Sequence, residues 1–366
     1  MKKKPTRAIL FFLAALALLV IALSSCEMKS LIEGQNTQAA TVFLPTTEAT
    51  TTTTAATTTK APATTTVTTT AVTTAAATTT AVSPYRNPLT GLSATAEEAR
   101  VRPLSFCVGH AASDAIATAD IVIEAPTEAV GTRLSLLGIS HTALFSTLEI
   151  ASTRAYLSAI NHDFFGISVF CGTSDRGHAS IDFLYDGLDL SEVRCESTEA
   201  SLQKALETAG IQTEHAGEIL LPYVQAPQGE TILPDGNATS YVSVSFSQTA
   251  TTSFTYDAVK RQYTMRSSAA MTDGAAYPTF SNLVILFHDA TRRITKDGIE
   301  LTLDTELGGN GFYLTHGRAI PIFWRRDPVT SSLSFTDTNG VRLTVNIGKT
   351  YIGMSTYEYR DSLVLN

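Results

Sequence analysis

The residues whose types could do chemistry cluster in the first half of the folded part: His110, Asp120, Glu124, Arg133, Arg154 and the pair His162-Asp163, placed at strand ends and helix starts. Gathered into one cleft, Arg133 and Arg154 would offer planar forks for a carboxylate or phosphate, with Glu124 and His110 as hydrogen-bonding partners. Acting on a glycan or peptide, the His110/Glu124/His162 group would instead supply an acid and a base. The structural alternative makes Glu124–Arg133 an ion pair and His110 a satisfied turn residue, because ionic groups at strand ends are often structural.

Other patterns are incomplete. Ser201-Leu202-Gln203-Lys204 fits S-x-x-K, and on a helix it puts both side chains on one face, while Gly348-Lys349-Thr350 comes near K-T-G. There is no S-D-N between them, and Leu343 breaks a phosphate-loop reading of the later motif. Gly308-Gly309-Asn310-Gly311 sits between two expected strands and reads as a hairpin or bulge turn. Glu149, Asp163, Asp175, Asp182, Asp186 and Asp189 include no pair that spacing selects for glycan cleavage. Seven scattered His and the Cys spacings give no zinc pattern, so neither a metal nor a cofactor is expected and no catalytic residue is assigned. Cys107 and Cys171 lie in apolar strands and read as buried free thiols, with a Cys171–Cys195 bridge as the alternative.

The N-terminus carries the most specific chemistry. Lys2, Lys3, Lys4 and Arg7 precede an uncharged run from Ala8 to Leu23, too short for a spanning helix but suited to a signal peptide. It ends in Leu23-Ser24-Ser25-Cys26, which resembles a bacterial lipobox. That resemblance implies a diacylglyceryl thioether on Cys26, cleavage before it, and anchoring by more than one palmitate-type chain. Residues 1–25 are then the lipoprotein signal peptide. Without them, four basic residues and no acid are lost, and the formal charge falls from -8 to -12.

Between Thr46 and Thr80, 21 of 35 residues are Thr and the only charges are Glu48 and Lys60. Such a segment cannot bury enough apolar area to offset its ordering entropy, so residues 26–83 are expected to be a disordered Thr/Ala-rich tether. As a coil it would span about 40 Å, and fully stretched about 200 Å. Charged residues make up 16% of the chain and no basic stripe follows Arg7, which excludes a nucleic-acid binder. One apolar segment excludes a multi-span membrane protein, and four Cys exclude a disulfide-dense scaffold.

Ordered sequence resumes at Tyr85. Leu104–Val108, Ile121–Glu124 and Ile167–Cys171 read as strands, and residues 152–160 and 198–209 as helices. Pro222, Pro227, Gly229, Pro234 and Gly236 punctuate a boundary. Beyond it, Tyr241–Ser247, Asn282–His288, Ile299–Asp304, Ala319–Trp324 and Arg342–Ile347 read as strands. The expected class is α+β: a mixed α/β first domain over 84–228, then a β-rich second domain over 236–366.

Asn87-Pro88-Leu89-Thr90-Gly91-Leu92, Arg102-Pro103-Leu104, Ala119-Asp120-Ile121-Val122-Ile123-Glu124-Ala125 and Thr132-Arg133 resemble the first domain of the YerB-like bacterial lipoproteins. Tyr256-Asp257, Tyr263, Arg266, Asp273, Asn282-Leu283-Val284-Ile285, Gly309, Gly311-Phe312-Tyr313-Leu314-Thr315, Gly317-Arg318 and Trp324 resemble their second. The resemblance runs in order over nearly all of residues 87–355 and implies a lipoprotein signal and a two-domain ectodomain, but no activity. The chain departs from it at Val108-Gly109-His110, where the family carries Asn-Asn-His. It departs again at Ile150-Ala151-Ser152-Thr153-Arg154-Ala155, which keeps one Arg of an Arg-rich segment, and at Phe170-Cys171-Gly172-Thr173. An altered ligand is the implication.

The expectation is a lipid-anchored binding or scaffold protein on the extracytoplasmic face of a bacterial membrane. The first domain would offer a polar cleft around Arg133, Arg154 and Glu124, and the second would present Trp324 and Tyr313 to an envelope protein or peptidoglycan. The alternatives are an enzyme acting on wall glycan or peptide and a binder of small anions.

Overall fold

The computed structural model describes residues 83–128, 130–141, 148–172, 187–190, 199–296 and 298–366, all within one compact unit. The expected signal peptide, Cys26, the Thr/Ala-rich tether, Cys195, Asp175, Asp182 and Asp186 lie outside the described residues. The described chain is strand-rich with few helices. Its α-helices, Ser113–Thr118, Ala155–Asp163 and Glu199–Thr208, all precede Gly210, and strands with one short 3-10 helix, Tyr357–Ser362, follow. None is long and apolar enough to cross a membrane.

An eleven-stranded mixed sheet organises the unit. At its centre the parallel strands Asn282–His288, Thr350–Thr356 and Ile121–Pro126 lie side by side. On one flank antiparallel strands Gly309–Thr315, Arg318–Arg326 and Leu333–Asp337 follow. On the other come Thr132–Gly138 and Leu104–Val108, then the parallel Ile167–Phe170 and Gly187–Asp189. Ile121–Pro126 pairs with Thr350–Thr356, so strands from before and after the Pro/Gly-rich segment at 222–236 share one sheet.

Side chains of a strand point alternately to the two sheet faces. One face meets helix Ala155–Asp163 and carries Ile121, Ile123, Val284, Leu286, Trp324, Ile352 and Met354. The other carries Val122, Leu283, Ile285, Phe287 and Tyr351 and packs on Val242, Val244, Phe254, Tyr263 and Met265 of a five-stranded antiparallel sheet. With both faces covered, parallel central strands run to near-continuous apolar sequence, and the polar residues they do carry are themselves buried. Asn282–His288 and Thr350–Thr356 are accordingly buried throughout.

The structure corrects several expectations. Arg342–Ile347 contributes only the two-residue strand Thr344–Val345, and the second central strand is Thr350–Thr356. Gly309–Gly311 opens a strand instead of forming a turn, because Phe287 and Ile285 carbonyls approach too closely for side chains at Gly309 and Gly311. Cys171 is disulfide-bonded, not a free thiol, with its partner outside the described residues. Cys107 is free and buried.

Candidate functional site

Strand alternation decides what the expected cleft can be. In the Ile121–Pro126/Thr132–Gly138 pair, Glu124 is opposite Leu134 and Ala125 is opposite Arg133. Glu124 therefore faces the five-stranded sheet, while Arg133 faces the side of helix Ala155–Asp163. The expected Glu124–Arg133 pair does not form.

Glu124 is wholly buried. Its Oε1 accepts hydrogen bonds from Thr132 Oγ1 at 2.7 Å and Ser268 Oγ at 2.8 Å. Its Oε2 accepts from Thr252 Oγ1 and Tyr351 Oη, each at 2.7 Å. A carboxylate has about four lone-pair positions, and four hydroxyls fill them. Burial, and then Glu124 itself, raise the Tyr351 phenol well above its usual range, so it stays a donor. This carboxyl joins the two sheets and has no valence left for a ligand.

On the opposite face, Arg154 gives its fork to Glu128, Nε to Oε1 at 2.6 Å and Nη2 to Oε2 at 2.5 Å. Its Nη1 donates to the Thr153 carbonyl at 2.9 Å. Arg133 Nε reaches the Ser152 carbonyl at 3.3 Å, the same oxygen that the Cys107 thiol approaches. A Cβ at residue 109 would come within 2.5 Å of Arg133 Nη1, so Gly109 lets the guanidinium lie against the backbone. Burial pushes the Cys107 thiol up to about 11, despite Thr153, Arg133 and Arg154 nearby, which leaves it a poor nucleophile. The structure thus brings Arg133 and Arg154 together and commits Arg154 to Glu128.

The remaining expected residues are scattered. His110 is exposed beyond the C-terminal end of Leu104–Val108. Exposed His162 closes the helix that leads to Ile167, whose strand starts beside Leu104 at the opposite end. Asp163 makes a bidentate pair with Arg326 at 2.7 and 2.6 Å. Half-buried Asp120 accepts from the Ile139 amide at 3.1 Å, and burial raises its carboxyl against the pull of Asn87 and Lys349. His110, Glu124 and His162 form no group. Lys204 is exposed on its helix, while Lys349 donates to the Ala117 carbonyl. Trp324 and Tyr313 are core residues, 2% and 1% exposed, which corrects their expected role as presented aromatics. Among the described residues no cluster of three His, Cys, Asp or Glu suits a metal ion.

The open surface lies elsewhere. Two adjoining depressions, about 440 and 710 Å³, share Leu220, Leu221 and Arg342. The first also carries Arg86, His215 and Tyr223, and the second Asp327 and the paired Asp163 and Arg326. Between them Glu218, Ile219 and Leu220 make no backbone hydrogen bond among the described residues, and Leu220 is 77% exposed. Arg342 holds this stretch by donating to the Leu221 carbonyl. Sequence reasoning missed the segment, which precedes the Pro/Gly punctuation at 222–236 and belongs to no expected element. The available signal was Ile219-Leu220-Leu221, an apolar triplet outside any periodic element.

Residues 242–352 match the family described as protein of unknown function (DUF3048), C-terminal domain. The fold is similar to the crystal structure of YerB protein from Bacillus subtilis, with a TM-score of 0.61 and 22% identity, covering 77% of this chain and 99% of that one. No curated protein matches the chain.

Proposed function

The chain is YerB-like, with the DUF3048 C-terminal domain in its second half, and from that premise we propose that it is a membrane-anchored extracytoplasmic lipoprotein that binds a polypeptide of the bacterial envelope. Lipid on Cys26 holds it to the membrane, and the Thr/Ala-rich tether stands the α/β and β-rich halves off the surface. The disulfide at Cys171 supports this compartment, since such bonds persist in oxidising surroundings.

One observation carries the binding reading: the groove along Glu218–Leu220. Its backbone amides and carbonyls, without backbone partners among the described residues, suit strand addition by an extended partner, and Leu220 is an apolar anchor beside them. The charged residues that a catalytic reading needs are by contrast apart or spent: Glu124 on hydroxyls, Arg154 on Glu128, Asp163 on Arg326. Replacing Cys26 with Ser tests the anchor by membrane fractionation. The wild type should sediment with membranes and C26S should not; equal sedimentation contradicts the anchor.

A further inference from the structure

The two depressions beside Glu218–Leu220 differ in charge. In the first, Arg86 and Arg342 face Glu218 as the one carboxylate of the lining. Arg86 donates to Ser93 Oγ and Gln228 Oε1, and Arg342 to the Leu221 carbonyl, so neither guanidinium has an acidic partner among the described residues. In the second, the Arg326 charge is met by Asp163, which leaves Glu306 and Asp327 against Arg342 at the shared boundary. Glu306 lies 3.8 Å from Arg326 with 63% of its side chain exposed. Asp327 accepts from the Thr330 and Val329 amides, which hold its carboxyl below the usual range and keep it an anion.

Glu306 also lines a third depression, about 600 Å³, with Tyr156, Ala159, Leu301 and the 82% exposed Leu307. Shared lining residues order the three along one track. Leu220, Leu221 and Arg342 join the first to the second, and Glu306 joins the second to the third. The track therefore runs from a cationic end, past Leu220, through an anionic stretch, to an apolar end at Leu307. Its first end has one more unmet need. His215 Nδ1 donates to the Gly217 carbonyl, and Phe165 meets the ring edge-on at 5.9 Å. In the neutral ring Nε2 is then an acceptor, and it is buried with no partner among the described residues. An amide or hydroxyl of an arriving segment would fill it.

We propose that this track recognises an extended polypeptide segment carrying, at alternate positions, a carboxylate, an apolar side chain, a basic side chain and a second apolar side chain. Alternate residues of an extended chain share one face, about 7 Å apart, so four such side chains reach successive parts of the track. The carboxylate meets Arg86 and Arg342, and the basic group meets Glu306 and Asp327. Exchanging the two would set like charges together at both places, which fixes the register of the segment as well as its composition. The inference names the partner of the Glu218–Leu220 groove and rests on that reading.

The test titrates the full-length chain in detergent with fluorescein-labelled peptides, read by anisotropy. The probes are Glu-Thr-Leu-Thr-Lys-Thr-Leu and the same order reversed, since an added strand can run either way. Each has a control in which Glu and Lys change places. One probe should bind about tenfold more tightly than its control, and high salt should erase most of that difference. Glu306→Lys should cut the preference about threefold. Leu307→Asp should weaken the probe about tenfold and Leu220→Asp should abolish its binding; both positions are exposed, so the fold should hold. Equal binding of probes and controls that is lost in Leu220→Asp would overturn this pattern and leave the groove standing, as would a probe indifferent to Leu307→Asp. Binding that survives Leu220→Asp would overturn the groove as well.

Discussion

Glu124 and Arg133 lie on adjacent strands one register step apart, yet on opposite faces of the sheet. Their energetics should be independent despite that proximity. Glu124→Ala leaves four hydroxyl donors without their acceptor and should cost about 3–5 kcal/mol in denaturant unfolding. Arg133→Ala removes one long hydrogen bond and should cost about 1 kcal/mol or less. The double variant should be additive to about 0.5 kcal/mol. A coupling above 1.5 kcal/mol would mean that the two charges interact after all.

How far such relations were legible follows from particular residues. Asn282–His288 announces itself because a strand covered on both faces is apolar at nearly every position. Thr350–Thr356 is equally buried but contains Thr350, Ser355 and Thr356, whose hydroxyls hide the strand from a hydropathy reading. Thr132–Gly138 alternates Arg133 and Ser135 with leucines. Recognising it as the partner of Ile121–Pro126 would have separated Glu124 from Arg133 by parity. Thr252, Ser268 and Tyr351, which hold Glu124, lie 128, 144 and 227 residues away, beyond any local pattern.

Ion pairs should separate by burial. Asp163–Arg326 is closed in, with side chains 5% and 9% exposed, and Arg326 also donates to the Thr305 and Ser331 carbonyls. Asp163→Ala should cost about 3–5 kcal/mol, because it strands a buried guanidinium. Arg292–Glu358 is half-exposed, and Glu358→Ala should cost less than about 1 kcal/mol. Chemical denaturation of both variants measures the contrast, and similar costs would refute it.

Acid should find His288. Its Nδ1 donates to the Asp304 carbonyl at 2.9 Å, its ring lies 4.4 Å from that of Trp324, and Nε2 is buried without a partner among the described residues. Burial holds the imidazole down at about 4, so below the unfolded value of 6.5 the unfolded chain takes a proton that the folded chain refuses. The contribution is fully present above pH 6.5 and is lost as pH falls toward 4, about 3 kcal/mol in total. His288→Phe should flatten that slope in stability measured against pH. An unchanged slope would reassign it to other groups.

Cys107 and Cys171 should behave oppositely. Cys107, buried with its thiol raised to about 11, should resist maleimide in the native protein and label only after unfolding. Cys171 should label only after reduction. Mass spectrometry of the labelled peptides reads both. Native labelling of Cys107, or labelling of Cys171 without reductant, would contradict the structure.

The central claim is binding through the Glu218–Leu220 groove, and capture from solubilised envelope tests it most directly. The chain from Ser83 onward is compared with its Leu220→Asp variant, and each is incubated in parallel with purified cell wall. The account predicts a stoichiometric protein partner for the wild type, loss of that partner from an equally stable Leu220→Asp, and an unchanged wall. Release of wall fragments, or a partner retained undiminished by Leu220→Asp, would contradict it.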